Sequence, residues 1–368
     1  MKTSMEAYWH WYTSSLMGEP GLFWRLVEQY GTPENIFMAK EEELLKRFSK
    51  NQRAIAGLCK RRREWDFERE KEQLKRKEIT FVSCEHPDYP MRLRMLSDKP
   101  GGLYIRGEIP RDNHPSVAIV GARASSAYGR SVALWFGREL ARAGVQIISG
   151  MAAGIDGYGH QGALEGGGKT FGVLGGGVDI CYPEFHRELY MRMEQEGGLL
   201  SENPPGVRPM RHLFPLRNRI ISGLSDVVLI IEAKAKSGSL ITADLALEQG
   251  RDVYAVPGRL DDPLSAGCNN LIYQGAGIAT SPEQILEEMG INGRLESLNG
   301  KKNKIHEKND LEKAENMVYS CLGLQPQNPE ELCRETSLPL VEVLRILTGL
   351  ELKGYTKEVY KNNYIRVL

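Results

Sequence analysis

Four arginines without an acidic neighbour form the part of this sequence best suited to holding an anion. The stretch "RPMRHLFPLRNR", positions 208–219, contains Arg208, Arg211, Arg217 and Arg219 but no Asp or Glu, and Phe214 lies in its middle. Clustered arginines neutralise phosphates, and a ring among them can stack on a nucleobase, a contact worth roughly 1–3 kcal/mol. In the alternative interpretation the ring belongs to the core and the arginines form surface ion pairs. The absence of acids from the stretch favours the first interpretation, a groove for single-stranded nucleic acid.

A turn at positions 117–129, "VAIVGARASSAYG", is typical of a strand–loop–helix unit that binds phosphate. A dinucleotide site would need further glycines for backbone approach and an acidic residue after the second strand to hold a ribose hydroxyl. Instead, Arg123 follows soon after Gly121, and the second apolar run, "VQIIS", leads into Gly150 without an acid. A helix start attracts anions, and a guanidinium is a permanent planar cation suited to phosphate. The pattern therefore predicts phosphate binding without a dinucleotide.

Three more loops rich in glycine or hydroxyl groups follow apolar runs: "SGMAAGIDGYGH", "LGGGVDICYP" and "AKSGSLITADLALEQG". Glycines leave backbone N–H groups free to donate to an anion, and the last loop leads into a helix start. An Asp in such a tight turn is more typical of a capping residue than of a catalyst. The candidate anion-binding residues of these loops are Gly150, Gly154, Asp156, Gly175, Gly177, Asp179, Lys236, Ser237, Gly238 and Ser239.

Familiar catalytic and metal-binding patterns are absent from the sequence. There is no G-x-S-x-G, no H-E-x-x-H and no complete P-loop, since "GGGKT" at 166–170 lacks the first glycine spacing and precedes an apolar run. The seven histidines lack metal-ligand spacing, and the six cysteines include no C-x-x-C pair. We therefore expect a protein that is not an enzyme, with no catalytic residue, no metal, no cofactor and no disulfide framework.

The loops are separated by apolar runs that are expected to become strands. From about 79 to 290, helical stretches alternate with "ITFVSC", "LYIRG", "VAIVG", "VQIIS", "TFGVL", "GLLSE", "DVVLIIE" and "DVYAVPG". Runs rich in Val and Ile without polar alternation indicate strands buried on both faces of a parallel sheet, and strand–helix repetition indicates right-handed crossovers. The sequence therefore predicts an α/β fold with a doubly wound, mostly parallel sheet, whose ligand lies at the carboxyl ends of the strands.

Helical segments flank this α/β region on both sides. Residues 1–78 have helical spacing interrupted by "YGTPEN", which predicts a helical domain of the helix–hairpin–helix or SAM-like kind, with DNA contact and protein contact both open. The run "KRRREWDFEREKEQLKRK" interleaves acids with bases and predicts a solvated helix face. Residues 291–310 have the polar composition of a linker. The predicted domains are thus 1–78, helical, 79–290, α/β, and 311–368 after the linker.

The last segment, 311–368, is expected to form three helices and a hairpin, which is the arrangement of a winged helix. Its longest helix, predicted over 341–353, balances two acids against two bases. A helix that reads duplex DNA normally has a basic excess. We therefore expect the winged helix to act more as a protein-contact or accessory domain than as a sequence-specific DNA reader.

The overall composition is that of an ordinary globular protein and decides little about partners. The 368 residues include 48 Lys and Arg against 48 Asp and Glu, so any nucleic-acid site must come from local clustering. The first residues, "MKTSMEAYWHWYTSS", lack the apolar core of a signal peptide, and no run approaches the ~18 apolar residues of a membrane helix. We expect a cytoplasmic protein without a membrane partner.

Seven blocks of the sequence, in their order and wording, resemble the DNA-processing protein A family (DprA, also called Smf). They are "VAIVGARASSAYG", "ISGMAAGIDGYGHQGAL", "GVLGGGVDICYP", "LLSENPPG", "FPLRNRIISGLSDVVLIIEA", "KSGSLITADLALEQGRDVYAVPG" and "GCNNLIYQGA". The resemblance covers roughly residues 79–290. The N-terminal helices and "HPDYPMRLRML" also look like the front end of that family, and the last segment looks like its optional winged-helix domain.

The resemblance implies an extended Rossmann-like domain that binds single-stranded DNA without cleaving it. It also implies a homodimer that protects incoming strands in natural transformation (competence) and recombination and loads the RecA recombinase onto them. By matching motif positions, the resemblance places Arg123, Phe214, Arg217, Asn218 and Arg219 in the DNA pocket. Gly121, Arg211 and the loop residues given above complete the predicted site.

Two other functions stay open from the sequence. Related Rossmann-like folds include phosphoribohydrolases that cut nucleoside monophosphates, and their site uses a Pro-Gly-Gly loop followed by a catalytic glutamate. The equivalent region here is "KSGSLITADLALE", which lacks that loop and so argues against the enzyme. The other alternative is a winged-helix regulator of duplex DNA, against which the charge balance of helix 341–353 argues.

Overall fold

The structure is a computed structural model that describes residues 3–291, 313–323 and 326–366. The predicted linker at 291–310 lies outside the described residues except for its first residue. Within the described ranges, no helix is long and apolar enough to cross a membrane.

Six helices lie in the described N-terminal part of the chain, as residues 1–78 predict. Their bounds are α1 (Met5–Ser15), α2 (Pro20–Tyr30), α3 (Pro33–Met38), α4 (Glu41–Arg47), α5 (Gln52–Glu64) and α6 (Phe67–Arg76). The predicted turn between α2 and α3 is present: Gly31 ends α2 with a φ of +79°, and the Thr32 side chain caps α3 by accepting from the Asn35 N–H. The charged run forms α5 and α6, which are separated at Trp65 because Asp66 caps a new helix there.

A nine-stranded sheet lies at the centre of the described residues. Its strands are β1 (Thr80–Ser83), β2 (Gly102–Gly107), β3 (Ser116–Gly121), β4 (Gln146–Ser149), β5 (Thr170–Val173), β6 (Gly198–Ser201), β7 (Val227–Ile231), β8 (Asp252–Ala255) and β9 (Gly277–Ile278). Their order is β1-β2-β6-β5-β4-β3-β7-β8-β9. The pairs β1/β2 and β2/β6 are antiparallel and all other pairs are parallel. The predicted α/β fold with a mostly parallel sheet is therefore confirmed, and the two-residue β9 is too short to show as an apolar run.

Helices cover both faces of this sheet. Their bounds are α7 (Met91–Arg94), α8 (Ala127–Arg142), α9 (Ile155–Glu165), α10 (Arg187–Glu196), α11 (Leu213–Gly223), α12 (Gly238–Glu248), α13 (Ala266–Tyr273) and α14 (Pro282–Glu288). Along β3, Val117 and Ile119 join the core on one face while Ala118 and Val120 join the core on the other. Burial of alternate residues on opposite faces explains why this strand is apolar throughout.

The sheet order reverses at β3, which fixes where a ligand can bind. From β3 the chain builds β4, β5 and β6 on one side, and β7 pairs with its other side, followed by β8 and β9. The loops that leave β3 and β7 therefore diverge to opposite sides of the sheet. They open a crevice at the carboxyl ends of these two strands.

The C-terminal part has the predicted winged-helix elements. They are α15 (Lys313–Cys321), α16 (Pro329–Thr336), α17 (Leu340–Leu352), β10 (Thr356–Tyr360) and β11 (Asn363–Arg366). The two strands form an antiparallel hairpin. Val343, Ile346 and Leu350 on α17 pack into the apolar core of this C-terminal part. The domain boundaries themselves stay a prediction.

Candidate nucleic-acid interface

A cleft of about 680 Å³ lies at the carboxyl ends of β3 and β7. We call it the main cleft. Its walls are the loop after β3, the first turns of α11, and the loop from β7 into α12. The predicted site residues that line it are Gly121, Arg123, Asp156, Arg211, Phe214, Arg217, Asn218, Lys236, Ser237, Gly238 and Ser239. The fold thus brings together loops that are far apart in the sequence, because parallel strands end at the same edge of the sheet.

The loop after β3 is pinned by a buried glutamate. Glu232, which directly follows β7, is 4% exposed, and its carboxylate accepts from the Ser126 N–H at 2.9 Å and from the Ser126 hydroxyl. The Glu232 carbonyl also accepts from the Ala122 N–H at 2.8 Å. These bonds fix the residues on both sides of Arg123, whose own side chain is exposed. The sequence pattern does not single out Glu232, because a glutamate at the end of an apolar strand is ordinary.

The ring of Phe214 lies between two guanidinium groups. The Cζ atoms of Arg123 and Arg217 lie 5.0 Å and 5.9 Å from its centroid, and the Tyr182 ring is 5.9 Å away. A Cβ on Gly175 would come within 2.9 Å of the ring, so glycine leaves room for it. The ring is half-buried, which leaves part of it open to the cleft. Each cation–π contact is worth about 0.5–1 kcal/mol at such sites and holds the ring in place.

The floor of the main cleft is a buried, charged layer. Arg217 is 5% exposed and donates to the carbonyls of Gly150, at 2.6 Å, and Val173. Burial lowers the pKa of Arg217 to about 10, so it stays charged at neutral pH. Asp156 accepts from the N–H groups of Gly150 and Ala152, and burial raises its pKa while Arg217 and these N–H groups oppose the shift. Asp156 therefore caps the loop that forms the floor, as its position in a turn indicates.

Arg219 is directed away from the main cleft, although the sequence groups it with the DNA-binding residues. It is 4% exposed, and its guanidinium pairs with Glu202 at 2.8 Å and with Asp98 at 3.2 Å. The inference that these arginines lack acidic partners is wrong for Arg219, because an acid 17 positions earlier reaches it across the fold. Its position is that of a structural ion pair.

Five other predicted residues lie outside the main cleft. Gly150 and Gly175 line a small recess beneath Arg123 and Tyr182, and Gly154 lines a second cleft described below. Gly177 is buried behind the recess, where a Cβ would meet the Asp179 carboxylate. Asp179 itself accepts from Lys77 at 2.7 Å and from the Gly206 N–H, so the structure uses it to join loops.

The charge of the main cleft is almost entirely positive. Its exposed walls carry Arg123, Arg211 and Lys236, together with Lys234, which the sequence reasoning missed. Among the described residues that line it, the one acid is the buried Asp156. The α12 start adds N–H groups beside Ser237, whose hydroxyl caps the helix. In the part of the chain that the structure describes, no group of three His, Cys, Asp or Glu residues could hold a metal ion.

Comparison with known proteins gives consistent matches over the α/β region. The sequence model of "DNA recombination-mediator protein A" matches residues 80–290, and that of the "DprA winged helix domain" matches residues 306–358. Protein Smf of Escherichia coli (strain K12) is 45% identical over 210 residues, which cover 57% of this chain and 56% of that protein. The match thus spans little more than half of the E. coli relative.

Two solved structures are similar over longer stretches. The X-ray structure of DNA processing protein A (DprA) from Streptococcus pneumoniae has a TM-score of 0.65 and 35% sequence identity, covering 78% of this chain and 99% of that one. DNA processing protein A from Helicobacter pylori has a TM-score of 0.53 and 30% identity, covering 60% of this chain and 97% of that one. The work on the H. pylori protein describes a "unique single-stranded DNA binding mode".

Proposed function

This chain belongs to the DNA recombination-mediator protein A family, and from that premise we propose that its main cleft binds single-stranded DNA. One observation carries the proposal: an aromatic ring, Phe214, is held half-exposed between Arg123 and Arg217 in a cleft whose exposed charges are all basic. A ring of this kind stacks on a base, and the cations around it neutralise phosphates. The structural work on the H. pylori relative describes single-stranded DNA binding, which supports the same ligand for this chain.

Binding rather than hydrolysis is the activity that the main cleft supports. A nucleotide hydrolase of the related kind needs a glutamate free to act on substrate. Asp156, the one acid among the described residues that line the cleft, is buried and accepts hydrogen bonds from two backbone N–H groups. Glu232, which lies behind the loop after β3, is bonded to Ser126. We therefore propose that the protein is not an enzyme.

The winged helix is proposed as a protein-contact or accessory domain. Lys353, which directly follows α17, donates to the Glu315 carboxylate at 2.8 Å, which uses one of the two cations of the 341–353 segment. The exposed side chains include Leu340, Val341 and Leu344, which suit a protein partner better than a DNA backbone. Duplex reading would require a basic face.

We infer the wider role from family membership. The chain is proposed to act as a homodimer that protects incoming strands during natural transformation and recombination and loads RecA onto them. Exposed apolar side chains on the elements around the β9 edge of the sheet support a protein contact there, since Leu260 is 96% and Tyr273 89% exposed. The same proposal includes a cytoplasmic location and a role in competence.

The test is a binding titration with single strands, duplex and a mononucleotide over a range of salt concentrations. We expect preference for single strands, a clear salt dependence and no turnover of the mononucleotide. Phe214→Ala should weaken binding roughly 5- to 150-fold, equivalent to about 1–3 kcal/mol of lost stacking. Arg123→Gln should reduce the slope of log affinity against log salt by about 1.

Arg208→Gln is the matched control, because Arg208 is an exposed arginine of the same stretch that lines none of the clefts described. It should leave both the affinity and the salt slope nearly unchanged. Unchanged single-strand affinity in Phe214→Ala and Arg123→Gln would mean that the main cleft is not the site. Turnover of the mononucleotide would favour the enzyme.

A further inference from the structure

A second cleft of about 470 Å³ shares Arg123 with the main cleft. It lies between the start of α8, the first turns of α9 and the start of α10. Arg123 lines both clefts, so the two clefts adjoin at this residue. Continuity through a shared cation is the first reason to consider the two clefts together.

The second cleft carries cations suited to a phosphate backbone. Arg130 is exposed and donates to the Ser125 carbonyl at 3.3 Å, and its Cζ lies 5.7 Å from the Tyr158 ring centroid. Within the described ranges no carboxylate lies within ion-pair distance of Arg130. Arg192 adds a second guanidinium, which pairs with Glu196 at 3.1 Å but keeps about 40% of its side chain exposed. Glu188 is the one acid among the lining residues described.

An exposed ring stands at the edge of this cleft. Phe185 is 72% exposed and packs edge-on against His186, with 4.7 Å between the ring centroids. His186 is itself held over Gly157, where a Cβ would come within 2.6 Å of its ring, and its Nδ1 lies 3.3 Å from the Met151 carbonyl. A single exposed ring is ordinary on a protein surface, but this one lines the same cleft as Arg130 and Arg192. A nucleobase is a partner of the right shape, because every base has a π-face.

One buried polar group in the second cleft lacks a partner. Ser125 is 7% exposed, and its hydroxyl makes no hydrogen bond with the described residues. The start of α9 lies beside it, and the N-cap residue Gly154 provides no side-chain acceptor for the first N–H groups of that helix. A buried hydroxyl without a partner is unfavourable, and a ligand oxygen that reached this position would offset that cost.

We propose that the second cleft binds the nucleotides that follow those in the main cleft on the same strand. Arg123 sits at the junction, Arg130 and Arg192 face the phosphates, and Phe185 stacks on a base. This inference rests on the proposed function of the main cleft and extends it to a longer footprint on the strand. It assigns roles to side chains of α8 and α10 that sequence reasoning did not select.

The experiment compares oligothymidylates of two lengths, about 4 and about 16 nucleotides, which span the range of site sizes for single-strand binding domains. The variants Arg130→Gln and Phe185→Ala are measured against both lengths by fluorescence anisotropy in the full chain. Both residues are exposed, so thermal melting should show no loss of stability. We expect each variant to weaken the long strand at least about fivefold, equivalent to ~1 kcal/mol, with little effect on the short one.

Arg187→Gln and Met191→Ala are the matched controls, because both residues are exposed near the start of α10 and line neither cleft. They should bind both lengths as the unsubstituted chain does. Long-strand affinity that is unchanged in Arg130→Gln and Phe185→Ala overturns the second cleft while leaving the main cleft intact. If the unsubstituted chain binds neither length, the proposed function fails and this inference fails with it.

Discussion

Replacing Arg219 by methionine tests whether this arginine supports the fold or contacts DNA. Methionine keeps an apolar stem but removes the charge, which leaves Glu202 and Asp98 without their partner. Breaking a buried ion pair costs about 3–5 kcal/mol. The side chains of Glu202 and Asp98 are 31% and 47% exposed, so water partly solvates them and the lower end, about 3 kcal/mol, applies here.

This loss should be visible as a lower melting temperature. For a domain of about 200 residues, 1 kcal/mol shifts Tm by roughly 2–4 °C, so we expect Arg219→Met to lower Tm by roughly 6–12 °C in circular dichroism. Adding Glu202→Gln should recover part of the loss because the unpaired acid is removed, with a coupling of about 0.5–3 kcal/mol. Single-strand affinity, measured well below Tm, should stay nearly unchanged.

Arg123→Met is the matched comparison, since it makes the same substitution at an exposed arginine. We expect the reverse pattern there: an unchanged Tm and a weakened affinity. The reasoning would be refuted if Arg219→Met kept its Tm and lost as much affinity as Arg123→Met. That result would mean that Arg219 leaves its ion pair to contact DNA.

Three further predictions concern the loops, the core and the winged helix. Gly154→Ala should destabilise the fold in urea more than Gly167→Ala, because both glycines have positive φ but only Gly154 would bring a Cβ to 2.3 Å from a backbone oxygen. Burial lowers the pKa of His160 to about 3 and that of His10 to about 4, below the ordinary 6.5. As the pH falls, these histidines take up protons in the unfolded chain before they do so in the folded one. The free energy of unfolding should therefore fall below about pH 6.5, by ~1.4 kcal/mol per pH unit for each histidine. Urea titrations at pH 7 and 5 should show that His160→Gln removes the contribution of His160 to this slope. Deleting 305–368 should change single-strand affinity by less than about tenfold in anisotropy, and a larger loss would contradict an accessory role for the winged helix.

The fold class follows from local sequence features. All eight predicted apolar runs became strands, because a strand covered on both faces needs an uninterrupted set of β-branched and apolar residues. The glycine and hydroxyl loops were placed correctly at the strand ends, since breaks in periodicity mark the ends of elements. The helix start at Ser126 and the turn at Gly31 follow from capping chemistry, which involves neighbours only a few residues apart.

The environment and partners of each arginine depend on residues that are distant in the sequence. Arg217 and Arg219 are two positions apart on α11, and both are buried. Arg217 lies under Phe214 and donates to Gly150, which is 67 positions away, whereas Arg219 points to the other side and pairs with Glu202. On a helix, residues two apart project to different sides, so identical side chains in one basic stretch enter different environments.

The sequence by itself determined the kinds of element, the parallel sheet, and the concentration of cations and glycines at its carboxyl edge. Tertiary structure alone decided which of these groups face the main cleft, because burial and pairing are set by contacts between distant segments. Tertiary contacts also place Glu232 beneath the loop after β3 and form the second cleft around Arg130 and Phe185. Such contacts leave no periodic trace in the sequence, since periodicity reports only on neighbours within the same element.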